Sequence, residues 1–380
     1  QDIGSDHQRH GLIAGVLHII FAALIIYYNR LDYFISADCG WNWFWQHIPI
    51  KHLQNNLISS VWYLHSQPPL HNLYFGILIK LFYPHQLLVL QIISIVLGGI
   101  MISMLFYIIQ YFIKLQVLRG AAALIIFFNP AILLYGNYLM YTFNSAFLVI
   151  SAVFLLVYYI NNRSNNAPLY LFALNINLLI LYRSSFHIIF LFVSLIYLFI
   201  FITKNKKHLM ICLLISILSV GWCLKNYALY GFFGTSSWFG LNIYKFITTD
   251  VSRKQRLKIR DTLNLPAVVK NNNHFYTEDI EIYRSYGYNK LSDIPSLNEN
   301  NFHNINIPDI SRIHGESGFK IIKLLPLHYI RNSITAFTIF NRPSFNYPHL
   351  ESNKKKIPMF IKLYNNICFA DNYILKKMFK

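Results

Sequence analysis

The chain has 380 residues, of which 55% are hydrophobic and only 13% charged, and its mean hydropathy is +0.39. A soluble domain carries about 25% charged residues, so this composition excludes an ordinary globular protein and describes an all-α membrane protein with several crossings. The formal net charge is +18, but the basic residues gather in short loops between apolar runs rather than on one periodic face. That distribution excludes nucleic acid as the expected partner and points to insertion topology and an anionic lipid surface.

A spanning helix needs about 20 apolar residues. The predicted crossings are 11–28, 87–113, 118–135, 138–160, 168–182, 187–203 and 208–224. The first run has no small-residue cleavage site after it and reads as a retained helix, not a signal peptide. Residues 29–86 then form a large loop. Within it, the stretch from Asp38 to Pro69 is too polar to cross. Its rings, Trp41, Trp43, Trp45, Trp62 and Tyr63, suit the membrane–water interface, burying a flat body and keeping a polar edge wet. Pro68 and Pro69 open a short apolar run, 70–83, expected as an interfacial helix that dips into one leaflet.

Lys114 and Arg119 flank one short loop, Arg163 lies in another, and Lys204 to Lys207 fill a third. Positive charge marks the cytoplasmic side. With these three loops inside, the N-terminus is inside, 29–86 is outside, and the chain after about Lys225 is outside. The uncharged stretch 129–137 is expected as an outer turn. Asp32, just past the first helix, is expected to pair with Arg30 or to act as a cap.

After Lys225 the composition turns polar. Residues 227–318 are expected to form an outer, α-rich extramembranous domain. The run Gly231 to Gly240 lacks both a preceding strand and a Gly-Lys-Ser/Thr pattern, so it reads as tight turns, not a nucleotide loop. The segment 319–340, interrupted by Pro326, His328 and Arg331, is expected to lie on the membrane, an eighth crossing being the alternative, and 351–380 is basic and interfacial. The expected organisation is therefore a transmembrane module over 1–226, an outer domain over 227–318 and an interfacial segment over 319–380. Cys39, Cys212, Cys223 and Cys368 form no CxxC pair, so neither a disulfide framework nor a metal cluster is implied.

Among residues able to carry chemistry, Asp38 stands out as a lone acid amid large rings. Partial burial would raise its pKa and make it a usable general base; the alternative is a solvated acid or helix cap. Arg183 follows an apolar segment and precedes Ser184-Ser185. It could grip a lipid phosphate bidentately or snorkel as an anchor. Lys225, at the end of the last crossing, carries the same two readings. His65, Gln67 and His71 bracket the Pro-Pro turn, which would hold them beside the segment of Asp38, or leave them solvated at the interface. Tyr141 and Asn144 open the 138–160 helix and could line the floor of a substrate cavity, or belong to an ordinary aromatic belt. With no second acid beside Asp38 and no helical HxxxH, no metal or other cofactor is expected.

The order of these parts resembles the GT-C superfamily, integral-membrane glycosyltransferases that use polyprenyl-phosphate sugars and include protein O-mannosyltransferases and lipid A aminoarabinose transferases. The residues that carry the resemblance are Asp38, Ser66-Gln-Pro-Pro-Leu-His71, Asn129-Pro130, Leu181-Tyr-Arg-Ser-Ser185 and Trp222 to Phe233. It covers about residues 10–240. The resemblance implies a module of seven transmembrane helices with juxtamembrane helices in the first outer loop. It also implies Asp38 as the catalytic carboxylate, acting as base, and Arg183 and Lys225 as phosphate-binding residues. Many members have two adjacent acids where this chain has Asp38-Cys39, and many have further crossings after the module. The implied activity is inverting transfer of a sugar from a polyprenyl-phosphate donor to a glycan, lipid or protein acceptor, on the outer face of a bacterial inner membrane. A lipid-linked-glycan flippase and a non-catalytic assembly subunit are the alternative readings. A flippase would need polar residues through the full membrane depth, whereas here they gather at the outer side.

Overall fold

The computed structural model describes residues 3–33, 47–249, 251–266, 307–340 and 348–368. Their regular structure is helical, with no extended strand among the described residues. In chain order the helices begin with α1 (Ile3–Asn29), α2 (Ile50–Asn55), α3 (Leu57–Trp62) and α4 (Pro69–Phe82). There follow α5 (Gln86–Phe112), α6 (Gln116–Phe127), α7 (Pro130–Gly136), α8 (Tyr141–Asn161) and α9 (Ala167–Tyr182). Next come α10 (Ile188–Tyr197), which continues as a π-helical turn over Leu198–Thr203, and α11 (Lys206–Tyr230). The last are α12 (Phe239–Thr248), α13 (Arg253–Thr262), α14 (Ile307–Leu324), α15 (Pro326–Phe340), α16 (Glu351–Lys354) and α17 (Pro358–Cys368).

Five stretches are long and apolar enough to cross a bilayer: Arg9–Asn29, Gln86–Phe112, Gln116–Gly136, Tyr141–Asn161 and Lys206–Tyr230. The protein is thus an all-α, multi-pass membrane protein. The other two expected crossings are apolar helices of shorter length, Ala167–Tyr182 and Ile188–Thr203. The predicted run 118–135 is interrupted. The Asn129 side chain accepts a hydrogen bond from the Ala131 amide at 2.9 Å and Pro130 follows at the first helical position, so a new helix starts there. Where an outer turn was expected over 129–137, most of the stretch is α7. The run 70–83 appears as α4, opened by Pro69.

The chain forms two compact units, one of residues 1–41, 77–218 and 343–380, the other of 42–76 and 219–342. In the first, α1 packs on α5 through small residues. A Cβ on Gly15 would stand 2.6 Å from the Gly99 carbonyl oxygen, and one on Gly99 would stand 2.8 Å from that of Gly15. Glycine at both positions lets the backbones touch, the usual source of helix association where lipid gives no hydrophobic drive.

The end of α1 is held by the C-terminal part of the chain. Asp32 Oδ2 lies 2.6 Å from Lys356 Nζ. The Asn353 amide accepts from the Asp32 backbone at 3.1 Å and donates to its carbonyl at 2.8 Å. Lys356 also donates to the Arg30 carbonyl at 2.7 Å. Arg30, in left-handed conformation at φ 49°, turns the chain away from the helix. Asp32 is therefore paired with Lys356 and not with Arg30, because the reversal at Arg30 presents its carbonyl to the same ammonium.

In the second unit α12 and α14 are in backbone contact. A Cβ on Gly240 would overlap the Ser311 carbonyl oxygen. The Ser311 hydroxyl accepts from the amides of Gly240 at 3.0 Å and Leu241 at 3.3 Å, satisfying free donors in the first turn of α12. Leu241, Tyr244, Ile247, Ile307, Ile310 and Ile321 form the core around this crossing. Gly240 thus sits inside a helix, correcting the reading of 231–240 as turns throughout; Gly231, at φ 75°, does end α11. Helix α14 also runs through the expected boundary at 318/319, and the break falls at Leu325, before Pro326.

Candidate functional site

Asp38 lies outside the described residues, as do Cys39, Trp41, Trp43 and Trp45. The other residues singled out from the sequence fall into two groups, one in each unit.

The first group surrounds Arg183. Helix α9 ends at Tyr182, and Arg183 adopts an extended conformation at its C-cap. Its guanidinium carbon lies 5.5 Å from the centroid of the Tyr141 ring. One helical turn further along α8, the Asn144 amide donates to the Tyr182 hydroxyl. Tyr141, Asn144 and Arg183 are all half-buried. The cation–π contact is worth about 0.5–2 kcal/mol and leaves the guanidinium edge unused: it makes no hydrogen bond or ion pair among the described residues. An arginine near hydrocarbon is costly to leave without a partner, and its planar fork matches a phosphate bidentately. Tyr182 belongs to this group and was not singled out from the sequence, where its only signal is its place next to Arg183.

The second group is built on five consecutive carbonyls. Pro68 and Pro69 have no N–H and keep the preceding chain out of helical conformation, so the carbonyls after α3 need partners from elsewhere. Lys225 Nζ donates to the Trp62 carbonyl at 2.8 Å and to that of Leu64 at 3.1 Å. The Tyr230 hydroxyl donates to Tyr63, the Ser237 amide to His65 at 2.8 Å, and the Ser236 hydroxyl to Ser66 at 2.6 Å. Residues 62–66 are thus strapped down by 225–237. Lys225 is buried, with its ammonium 3.8 Å from the centroid of the Trp222 ring. It is neither a solvated anchor nor, with two donors on carbonyls, an open cation like Arg183.

His65, Gln67 and His71 are all buried. The His65 ring packs tilted against Tyr230, 4.7 Å between centroids, and its Nδ1 lies 3.0 Å from the Ser237 hydroxyl. His71 Nε2 lies 3.2 Å from His47 Nε2. Only one of these two nitrogens can donate to the other, so the two rings cannot both be charged while the contact holds. Burial pushes the His71 pKa down to about 4; burial, and secondarily the charge of His71, push that of His47 well below its usual value. Next to them, Asn72 accepts from the Ile48 amide at 2.9 Å. The three residues expected to touch substrate are therefore buried, His65 against the strap and His71 against His47. The contribution of Tyr230, Ser236 and Ser237 was missed because their partners are backbone carbonyls, which leave no side-chain motif.

Among the described residues no group of three or more His, Cys, Asp or Glu could hold a metal ion. Cys212 and Cys223 are buried free thiols. No protein-family model matches the chain, and comparison with curated proteins and with solved structures likewise gives no match.

Proposed function

We propose that the protein is an integral-membrane inverting glycosyltransferase of the GT-C kind, acting at the outer face of a bacterial inner membrane. The observation that carries this reading is Arg183: a half-buried guanidinium at the end of an apolar helix, placed over Tyr141 and with its hydrogen-bonding edge unclaimed among the described residues. Such a group suits the phosphate of a polyprenyl-phosphate sugar whose tail lies among the helices. An acceptor hydroxyl of a glycan, lipid or protein attacks the anomeric carbon. The bond from that carbon to the phosphate oxygen breaks. Asp38 takes the hydroxyl proton, and Arg183 stabilises the charge that grows on the departing phosphate. Lys225 enters this proposal as a positioning residue, holding residues 62–66.

The test is incubation of the purified chain with radiolabelled polyprenyl-phosphate sugars and membrane extract. Label should leave the carrier lipid. Asp38→Asn should leave the protein folded and able to bind donor, while turnover falls at least about a hundredfold. Release of label unaffected by Asp38→Asn would remove that residue from the role of base, and no release with any donor would overturn the reading.

A further inference from the structure

Helix α15 is amphipathic in the reverse of the usual sense, with its polar face turned inward. The Asn332 amide donates to the Phe246 carbonyl at 2.9 Å, and His328 Nε2 lies 3.2 Å from the Thr249 carbonyl. Both acceptors are at the C-terminal end of α12, where helix carbonyls lack intrahelical partners. Tyr329 packs edge-on against Phe246 at 5.6 Å between ring centres. These contacts fix the rotation of α15 about its axis.

The opposite face carries Leu327, Ile330, Ile334 and Phe337, spaced as one stripe of a helix and exposed by 79%, 52%, 61% and 68%. Arg331 flanks the stripe and is exposed, as are Lys320 and Lys323 just before the Pro326 break. No Asp or Glu occurs from Ser317 to Phe340. A second copy of this face would bring like charges together, whereas an anionic bilayer offers acyl chains to the stripe and phosphates to the cations. The helix has 15 residues, a length of about 22 Å, too short to cross a hydrocarbon core of about 30 Å. Chain connectivity agrees: α12, on which α15 rests, begins only a short segment after the candidate span α11 ends.

We infer that α15 is an interfacial anchor, lying along an anionic membrane surface with Leu327, Ile330, Ile334 and Phe337 among the acyl chains and Arg331, Lys320 and Lys323 at the lipid phosphates. This goes beyond the proposed transfer reaction and does not depend on it.

The test uses the full chain in proteoliposomes, in a background without its native cysteines, with an environment-sensitive dye on Ile334→Cys or on Thr335→Cys. Both side chains are exposed, so the substitutions leave the packing of α15 unchanged. Lipid-borne quenchers set just below the headgroups should quench the dye at 334 several-fold more than at 335. In vesicles containing phosphatidylglycerol, Lys323→Gln with Arg331→Gln should weaken that quenching. Equal quenching at 334 and 335, or a dye at 334 that stays open to aqueous iodide in every vesicle, would overturn the anchor. Quenching indifferent to lipid charge and to the double substitution would overturn the assignment of anionic lipid. Shielding at 334 that grows with the protein-to-lipid ratio would place a second copy there instead.

Discussion

Lys225 donates to the Trp62 carbonyl at 2.8 Å, a side chain on α11 closing the end of α3 across 163 positions of sequence. With its second bond to Leu64 it holds an otherwise unsupported stretch of backbone. Hydrogen bonds to charged groups are worth about 1.5–3 kcal/mol each, and removing the donor leaves the carbonyl of Leu64 buried without it. Lys225→Met should therefore loosen the strap. Hydrogen exchange is expected to speed up at the amides of Leu64 and Ser237, which bond to the Val61 and His65 carbonyls. Unchanged protection there would show that Tyr230, Ser236 and Ser237 suffice.

Arg183 should behave differently. Arg183→Lys keeps the charge but loses the planar fork that lies over Tyr141. Loss of about 1.5–3 kcal/mol of charge-assisted bonding corresponds to a rise of roughly ten- to a hundredfold in apparent donor KM. The melting temperature should hardly move, since the guanidinium edge bonds to nothing in the described protein. Donor affinity unchanged in Arg183→Ala would reduce the residue to an anchor.

The His47–His71 pair predicts acid sensitivity. In the unfolded chain these rings take up protons as pH falls below about 6.5. In the folded protein His71 does so only near 4. Between these values the unfolded state binds more protons, so the stability tied to His71 is complete above about 6.5 and is lost as pH falls towards 4, and His47, whose pKa is lowered too, acts in the same direction. Amide protection around Ile48 and Asn72 should drop across that window, and His71→Gln should flatten the dependence. A pH-independent wild type would contradict this.

Gly240→Ala places a methyl group against the Ser311 carbonyl, so α12 and α14 must separate. Overpacking of this kind costs about 1–3 kcal/mol or more. Gly120→Ala, which meets nothing within 4 Å, is the matched control and should be neutral or slightly stabilising. Equal melting temperatures for the two variants would sink the crossing described for these helices.

The basic loops predict sidedness. Asn55 and Asn205 are both exposed, so single cysteines there are accessible to label. An impermeant thiol reagent added to intact cells should reach residue 55 and not 205. Labelling of both from one side would end the expected topology.

The long apolar helices were legible in the sequence because a window of about 20 apolar residues has few other uses. Pro69 marked a helix start by chemistry that acts within a few residues, whereas Asn129-Pro130, whose cap works the same way, was taken for a turn because the stretch carries no charge. What was not legible depends on distant partners. Nothing near Gly240 announces Ser311, and nothing near Asp32 announces Lys356. The phosphate role expected for Lys225 came from its position at a helix end, whereas its partners are carbonyls, which every residue has. Arg183, Tyr141 and Asn144 were each named from a helix end, and the structure brings them together because α8 and α9 pack side by side.

The clip between Asp32 and Lys356 joins residues 324 positions apart. During synthesis α1 leaves the ribosome long before Asn353 and Lys356 exist. Until they arrive, the end of α1 lacks the partners that hold the Arg30 reversal. Closure of this loop therefore comes after all five candidate spans have been made, and it acts as a late lock on assembly. A nascent chain stalled before residue 353 would carry an unlatched first helix, a feature by which membrane proteases could tell unfinished copies from finished ones.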